Sequence, residues 1–249
     1  MQDLKISLIT VCYNADATIR RCIESVASQN FKNIEYIIID GASTDKTIDI
    51  IDKYKDHTSI FLSEPDDGIY DAMNKGIKLS SGDIVGMLNA DDFFANDAVL
   101  SDVARVFTQQ GAHIVYGNLD YINSRQKVVR KWRSDKYRPF VFNWGWMPPH
   151  PTFYCKRELF GKYGFYSLEY GSAADYELML RFMHRNNLIV IFINKVLVKM
   201  NVGGKSNESY RNRLKSLYFD FKAMRKNEVL FPLFTIIAKP IRKIIQYLK

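Results

Sequence analysis

Two neighbouring carboxylates, Asp91 and Asp92, close the run Leu88-Asn89-Ala90-Asp91-Asp92, directly after the apolar segment Ile84-Val85-Gly86-Met87. Acids delivered side by side at the end of a buried strand repel each other. A fold holds them together where something positive neutralises them, and a divalent cation carrying a diphosphate suits that role. The competing reading is that Asp92 caps the next helix, because a helical pattern begins soon after, at Asn96 to Leu100. A further acid, Asp175, stands at the mouth of the turn Gly171-Ser172-Ala173-Ala174, ahead of a helical pattern that buries Leu178, Met179 and Phe182. By pattern alone Asp175 is an N-cap worth about 1 kcal/mol or an acid placed for chemistry.

The elements that must position these acids alternate between strand and helix. Leu4 to Cys12 is an apolar, β-branched run; after Tyr13-Asn14-Ala15-Asp16 comes a helix with Ile19, Cys22, Ile23 and Val26 on one face and Asp16 as its expected N-cap. Ile34 to Ile39 is a second strand, followed by a helix on Ile48, Ile51 and Tyr54. Ile60 to Leu62 is a third strand, Ile69 to Leu79 a third helix, Ile84 to Leu88 a fourth strand, Val99 to Phe107 a fourth helix, and His113 to Tyr116 a further strand. Such a series predicts an α/β fold with a mostly parallel central sheet flanked by helices. In open sheets of this kind ligands bind beyond the carboxyl ends of the strands. The loops there carry Thr10, Tyr13 and Asn14; Asp40 and Ser43; Glu64, Asp66 and Asp67; and Asn89, Asp91 and Asp92. Acids gathered on one edge need a cation or hydrogen-bond donors, both of which a nucleotide with its metal supplies; a solvated acidic rim is the alternative.

Four ordered motifs, Thr10-Val11-Cys12-Tyr13-Asn14, Ile39-Asp40-Gly41-Ala42-Ser43-Thr44-Asp45, Asp67-Gly68-Ile69-Tyr70-Asp71-Ala72-Met73-Asn74-Lys75-Gly76 and Leu88 to Asp92, resemble the family 2 glycosyltransferases of bacterial polysaccharide assembly. The likeness spans roughly the first 200 residues. It implies the nucleotide-sugar-binding fold called GT-A, with Thr10, Tyr13, Asp40, Asp67 and Lys75 around the donor, Tyr13 and Asp40 near the base, and Asp91 facing the ribose. Asp92 then holds Mg²⁺ or Mn²⁺ against the donor diphosphate. Many relatives carry a second acid after the residue matching Asp40 and read uracil with it; Gly41 stands there in this chain, which leaves a UDP donor less firmly implied than sugar transfer. The resemblance also implies that Asp175 is the catalytic base; relatives usually have a Glu-Asp pair there, and Ala174 replaces its first member.

The implied chemistry displaces a nucleoside diphosphate from an anomeric carbon while Asp175 accepts the proton of the attacking hydroxyl. One in-line displacement inverts the configuration, giving a β-linked product from an α-linked donor. Between the acids runs Trp144-Gly145-Trp146-Met147-Pro148-Pro149-His150-Pro151-Thr152, a shaped loop. Trp144 and Trp146 offer faces that suit sugar rings, which makes an acceptor platform the expectation and core packing the alternative. His150 joins the metal shell or the diphosphate on one reading and is structural on the other. Lys75 is equally readable as a solvated charge.

The formal charge of +8 has a single origin. Residues 1–204 hold 24 basic and 24 acidic side chains, whereas residues 205–249 hold 11 basic and 3 acidic. This divides the chain into a catalytic domain over 1–204, with a nucleotide-sugar half at 1–117 and an acceptor and base half at 118–204, and a basic amphipathic helical tail at 205–249. In the tail, Leu214, Leu217, Tyr218, Phe219 and Phe221 interleave with basic residues. Farther on, Phe234, Ile237, Ile241, Ile244, Ile245 and Leu248 recur at helical spacing opposite Lys239, Arg242, Lys243 and Gln246, with interruptions expected at Pro232 and Pro240. The pattern fits a helix lying in an anionic membrane surface; packing on the domain and nucleic-acid binding compete, the latter weakened because no basic track continues into the rest of the chain. Val229 to Ala238 is too short to span a bilayer. The expectation is therefore a cytoplasmic protein, peripheral on the inner face of the cell membrane, that adds one sugar to a lipid-linked glycan acceptor. Processive relatives with several spans and a Gln-Arg-Trp signature are not matched. Cys12, Cys22 and Cys155 read as reduced core residues, and Met1-Gln2-Asp3 leads into the first strand without a signal peptide. A sugar nucleotidyltransferase would want a glycine- and basic-rich loop where Tyr13-Asn14-Ala15-Asp16 stands, and a non-catalytic nucleotide-sugar sensor would have no need of Asp175.

Overall fold

A computed structural model describes residues 4–202 and 210–245. Its first half is β1 (Ile6–Cys12), α1 (Ile19–Ala27), β2 (Ile34–Asp40), α2 (Thr47–Asp52), β3 (Ile60–Ser63), α3 (Ile69–Leu79) and β4 (Ile84–Met87). There follow β5 (Asp92–Phe94), α4 (Val99–Gln110), β6 (Ile114–Ile122), β7 (Val128–Trp132), β8 (Tyr154–Lys156), α5 (Glu158–Tyr163) and α6 (Ala174–Met179). The chain ends in β9 (Val190–Asn201), α7 (Tyr210–Lys226) and α8 (Pro232–Ile245). All nine strands form one sheet in the order β3-β2-β1-β4-β8-β6-β9-β5, with β7 beside β6.

Alternation along the buried strands sends side chains to both faces. Ile9, Val11, Ile37, Ile39, Val85 and Met87 meet α3, α5 and α6 on one face. Ile6, Leu8, Cys12, Tyr36, Ile38 and Ile84 meet α1 and α4 on the other. The expected parallel sheet is present in β3-β2-β1-β4. Beyond β4 the sheet is mixed: β8 runs antiparallel to β4 and β6, β9 is parallel to β6, and β5 and β7 are antiparallel additions. Parallel pairs need long crossovers, whereas β6 and β7 are joined by a short hairpin and β5 is only three residues long.

Two helix starts differ from expectation. Thr18, not Asp16, occupies the cap position of α1, and the Asp16 amide instead donates to Asp45 Oδ2 at 3.2 Å. Asp92 caps no helix: it opens β5, and α4 starts after Ala98. The tail is built into the body, with Ala223, Met224 and Val229 in the same core as α3 and α6. Pro232 starts α8, where its missing N–H costs nothing, and the helix runs on through Pro240 instead of breaking there. On α8 the expected apolar face is exposed at Phe234, Ile237 and Ile241, while Lys239 turns inward. The matching expectations for Lys243, Ile244, Ile245, Gln246 and Leu248 fall outside the side chains described. No helix among the described residues is long and apolar enough to cross a membrane.

Candidate active site

The donor-side loops are braced by Asp40, which is fully buried at the end of β2. Its carboxylate accepts the Ser43 amide at 2.9 Å, the Ser63 hydroxyl at 2.7 Å and the Ser43 hydroxyl. Asp40 is thus enclosed and bonded to the loops after β2 and β3. Thr10, on β1, shares a face with Leu8 and Cys12, and its hydroxyl hydrogen-bonds Tyr36 at 3.0 Å inside the core. Tyr13, by contrast, is 55% exposed beyond the strand end. The next residue, Asn14, adopts φ 49°, with its amide donating to Ser43 Oγ at 2.8 Å and its Oδ1 accepting the Thr44 amide at 2.9 Å.

Gly41 lies between two groups: a Cβ there would stand 2.6 Å from an Asp66 carboxylate oxygen and 3.5 Å from the Tyr13 ring. Asp66 therefore occupies the volume a side chain at Gly41 would fill. Its other oxygen accepts the Gly68 amide at 2.8 Å, where φ is 101° at the start of α3. Asp67 is exposed, so of these two acids it is Asp66 that lies beside Tyr13. Lys75 is no solvated charge: its ammonium lies 2.8 Å from Glu64, 2.7 Å from the Pro65 carbonyl and 3.6 Å from Asp71, clamping this loop onto α3. The Glu64 bond, with further help from Asp71 and Asp66, holds the Lys75 ammonium above its ordinary pKa despite some desolvation.

The acid pair follows β4 after Leu88-Asn89-Ala90, with Asp92 opening β5, and the two acids differ in access. Asp92 is 1% exposed, and among the described residues neither of its oxygens, nor Asn89 Oδ1, has a hydrogen-bond partner. Burial, then the charge of Asp91, pushes the Asp92 carboxyl well above the usual carboxylate range, while Arg21 opposes the shift. Asp91 is only partly buried, and its backbone carbonyl accepts Asn201 Nδ2 at 2.7 Å. Arg21 donates to Asn201 Oδ1 at 3.0 Å and lies over the Phe93 ring at 4.0 Å. The partly open Asp91 carboxylate, backed by three buried oxygens without partners, makes an all-oxygen, hard set that fits Mg²⁺ or Mn²⁺. No group of three or more His, Cys, Asp or Glu among the described residues is arranged to hold an ion by itself.

Asp175 sits in the first turn of α6, and its Oδ2 lies 3.5 Å from His150 Nδ1. Both side chains retain some exposure, 15% for Asp175 and 29% for His150. Asp175 is not the N-cap, a position held by Ala173. His150 opens the turn His150–Thr152, packed against β4, β6 and β9. It neighbours the base candidate. Tyr70, in the first turn of α3 after β3, brings this group to the carboxyl edge: its hydroxyl reaches the Ser172 carbonyl at 3.5 Å. Burial, then the charge of Asp175, pushes the Tyr70 hydroxyl well above its ordinary pKa. The two tryptophans part ways. Trp146 is 5% exposed among Tyr116, Tyr137 and Phe142 and cannot offer a platform, whereas Trp144 is 59% exposed. The sequence places Asp66 among the acids beyond the strand ends and Tyr70 within the third motif without giving either a role, and it carries no signal for Arg21.

A parallel half-sheet with the Asp91–Asp92 pair beyond one carboxyl edge, its Asp92 buried without a hydrogen-bond partner among the described residues, fits a glycosyltransferase of GT-A type. The family model "Glycosyl transferase family 2" matches residues 7–171, and the chain belongs to that family. It is 28% identical over 206 residues to a PGL/p-HBAD biosynthesis glycosyltransferase of Mycobacterium bovis, covering 81% of this chain and 78% of the relative. An uncharacterized glycosyltransferase of Mycobacterium tuberculosis is 30% identical over 186 residues, covering 71% of this chain and 68% of that one. Among solved structures, residues 1–349 of Staphylococcus aureus TarS in complex with UDP-GlcNAc align with a TM-score of 0.73 at 19% identity, over 91% of this chain and 66% of that one. The mannosyltransferase PcManGT of Pyrobaculum calidifontis, solved with GDP-Man and Mn²⁺, aligns with a TM-score of 0.68 at 15% identity, over 95% and 72%.

Proposed function

We propose that this chain moves a single sugar, with inversion, from a nucleotide-linked donor to a hydroxyl of a lipid-carried glycan at the cytoplasmic face of a membrane, in assembly of a surface polysaccharide. The observation that carries the reading is Asp175 paired with His150 beside Tyr70, on the same sheet edge as the acid pair. Asp175 accepts the proton as the acceptor oxygen bonds to the anomeric carbon and the bond to the diphosphate breaks. His150 orients the Asp175 carboxylate. Tyr13 lies against the base with Asp66 at its side, Asp67 and Lys75 shape the loop around the donor, and a UDP-sugar is the donor best supported by the bound TarS relative. Trp144 borders the acceptor side.

The acid pair would hold the cation, Mg²⁺ or Mn²⁺. Asp92 shows no surface on either oxygen, so Asp91, the partly open member, would present its carboxylate to a diphosphate-bound ion, backed by Asp92 and Asn89. When bound, such a cation offsets the charge that develops on the departing diphosphate. The test is binding and slow hydrolysis of UDP-, GDP- and TDP-sugars, with Mn²⁺ and with chelator. Metal-dependent turnover of one UDP-sugar, lost in Asp175→Asn while binding survives, is the expected result. Binding without turnover in the wild type, or an undiminished Asp175→Asn, points to a non-catalytic binder; no nucleotide binding at all sinks the reading.

A further inference from the structure

The basic character is not confined to the tail. Residues 125–138 carry seven basic side chains and one acidic one, inside a stretch, 1–204, that is neutral as a whole. The rest of that stretch is therefore acidic, which polarises the molecule. This basic segment runs through β7 into Lys136 and Arg138, both exposed, and then into Phe140, exposed at 61% and held at φ 65°. A bulky residue at positive φ and open to water is costly twice over.

The fold joins this loop to the tail. Trp144 meets Phe234 of α8 edge to face at 5.5 Å. Asn143 is gripped from both sides, its Oδ1 accepting the Leu230 amide at 3.0 Å and its carbonyl accepting the Thr235 hydroxyl at 2.7 Å. Gly145, at φ 71°, lets the backbones touch: a Cβ there would stand 2.5 Å from the Lys239 nitrogen. Two segments about ninety residues apart in sequence thus become one edge.

We propose that Phe140 and Trp144, together with the open side of α8 (Leu233, Ile237 and Ile241) and flanked by Lys136, Arg138 and Arg242, form a single docking surface for an anionic lipid bilayer. The partner is a bilayer because the exposed groups of α8 are aliphatic, which gain by entering hydrocarbon and stack poorly on bases, while tryptophan beside arginine and lysine suits the headgroup layer. Complementary charge fixes the sign of the surface. The inference rests on the membrane-side reading of the acceptor and extends it, giving Trp144 a lipid neighbour and making the loop an equal partner of the helix.

Flotation of the full chain on vesicles of phosphatidylglycerol and phosphatidylcholine in equal parts, and on pure phosphatidylcholine, tests it. Wild type binds the anionic vesicles and releases them at high salt. The pairs Phe140→Ser with Trp144→Ser, Lys136→Glu with Arg138→Glu, and Leu233→Ser with Ile237→Ser each weaken binding about tenfold, with circular dichroism unchanged. Loss only in the α8 pair overturns the joint surface and leaves a membrane-binding tail. Absence of vesicle binding in wild type, with nucleotide binding intact, overturns the membrane reading and spares the transferase. Dimerisation, or oligonucleotide binding, abolished by the same substitutions in place of vesicle binding assigns the surface to another partner and overturns the proposal.

Discussion

Asp175 accepts the neighbouring Tyr176 amide at 2.8 Å and lies 3.5 Å from His150, so its replacement by asparagine keeps the shape of the turn and removes the proton acceptor. Asp175→Asn should lower turnover on the order of 10²–10⁴-fold with donor affinity preserved, read by single-turnover kinetics and calorimetry. Asp66 and Asp67 separate on affinity: Asp66→Ala should weaken nucleotide binding on the order of tenfold and Asp67→Ala far less, by titration calorimetry. A third outcome concerns stability. Glu35 is buried, which alone would raise its pKa, but Lys5 at 2.8 Å, Ser7 at 2.5 Å and the Ser81 amide at 2.7 Å outweigh that and hold it at about 2. Because the folded value lies below that of the unfolded chain, the stabilisation is complete above about pH 4 and is lost as pH falls towards 2. Glu35→Gln should cost about 2 kcal/mol at neutral pH and flatten that acid slope in urea titrations. Motif order marks Tyr13 in the sequence, and the small-residue turn Gly171 to Ala174 ahead of a helical pattern, with the family resemblance, marks Asp175. Asp66 and Asp67 are chemically identical neighbours, and only the turn of the loop around Gly68 decides which faces Tyr13. The inward placement of Thr10 is legible too, since period-two alternation already puts it on the face of Leu8 and Cys12.

At the scale of elements, the four parallel strands and their helices were written in local periodicity, and α3 begins and ends where its pattern does. The mixed half was not, because three-residue strands such as β5 and β8 carry no period and exist only through distant partners. β5 depends on β9, pairing Asp92 with Met200, so the acids are steadied by residues more than a hundred positions away. The inward turn of Lys239 was also hidden, since on a helical wheel it belongs to the polar side. There it pairs with Asp220 at 2.7 Å, both side chains 11% exposed, and lies 3.7 Å from the Tyr176 ring of the base helix. Breaking a buried pair strands the remaining charge, so Lys239→Met should destabilise the protein by about 3 kcal/mol in denaturant unfolding, and Asp220→Asn with Lys239→Met by less.

For the whole molecule, the boundary expected at residue 204 is not an energetic one. Met224 and Ala223 are fully buried against the base-bearing half, so a chain ending at 204 should lose more than about 5 kcal/mol and fail to unfold cooperatively on heating. The three cysteines are buried too, Cys155 in this core and Cys12 and Cys22 in the one on the other face of the sheet: burial pushes the Cys22 thiol up to about 12 and the other two higher still, and native protein should resist alkylation until unfolded. Composition signals a basic tail but not that the loop Asn143 to Gly145, which follows the basic stretch 125–138, would pack on α8, because only the fold brings those two together. The contact of α8 with Tyr176 and Gly145 has a consequence in time. During synthesis the nucleotide-facing strands emerge first, yet the helix that carries the proton acceptor gains its support only when residues near 239 clear the ribosome. Donor-binding loops are therefore made well before the chain is able to act, and a nascent chain released early yields a protein with no competent centre.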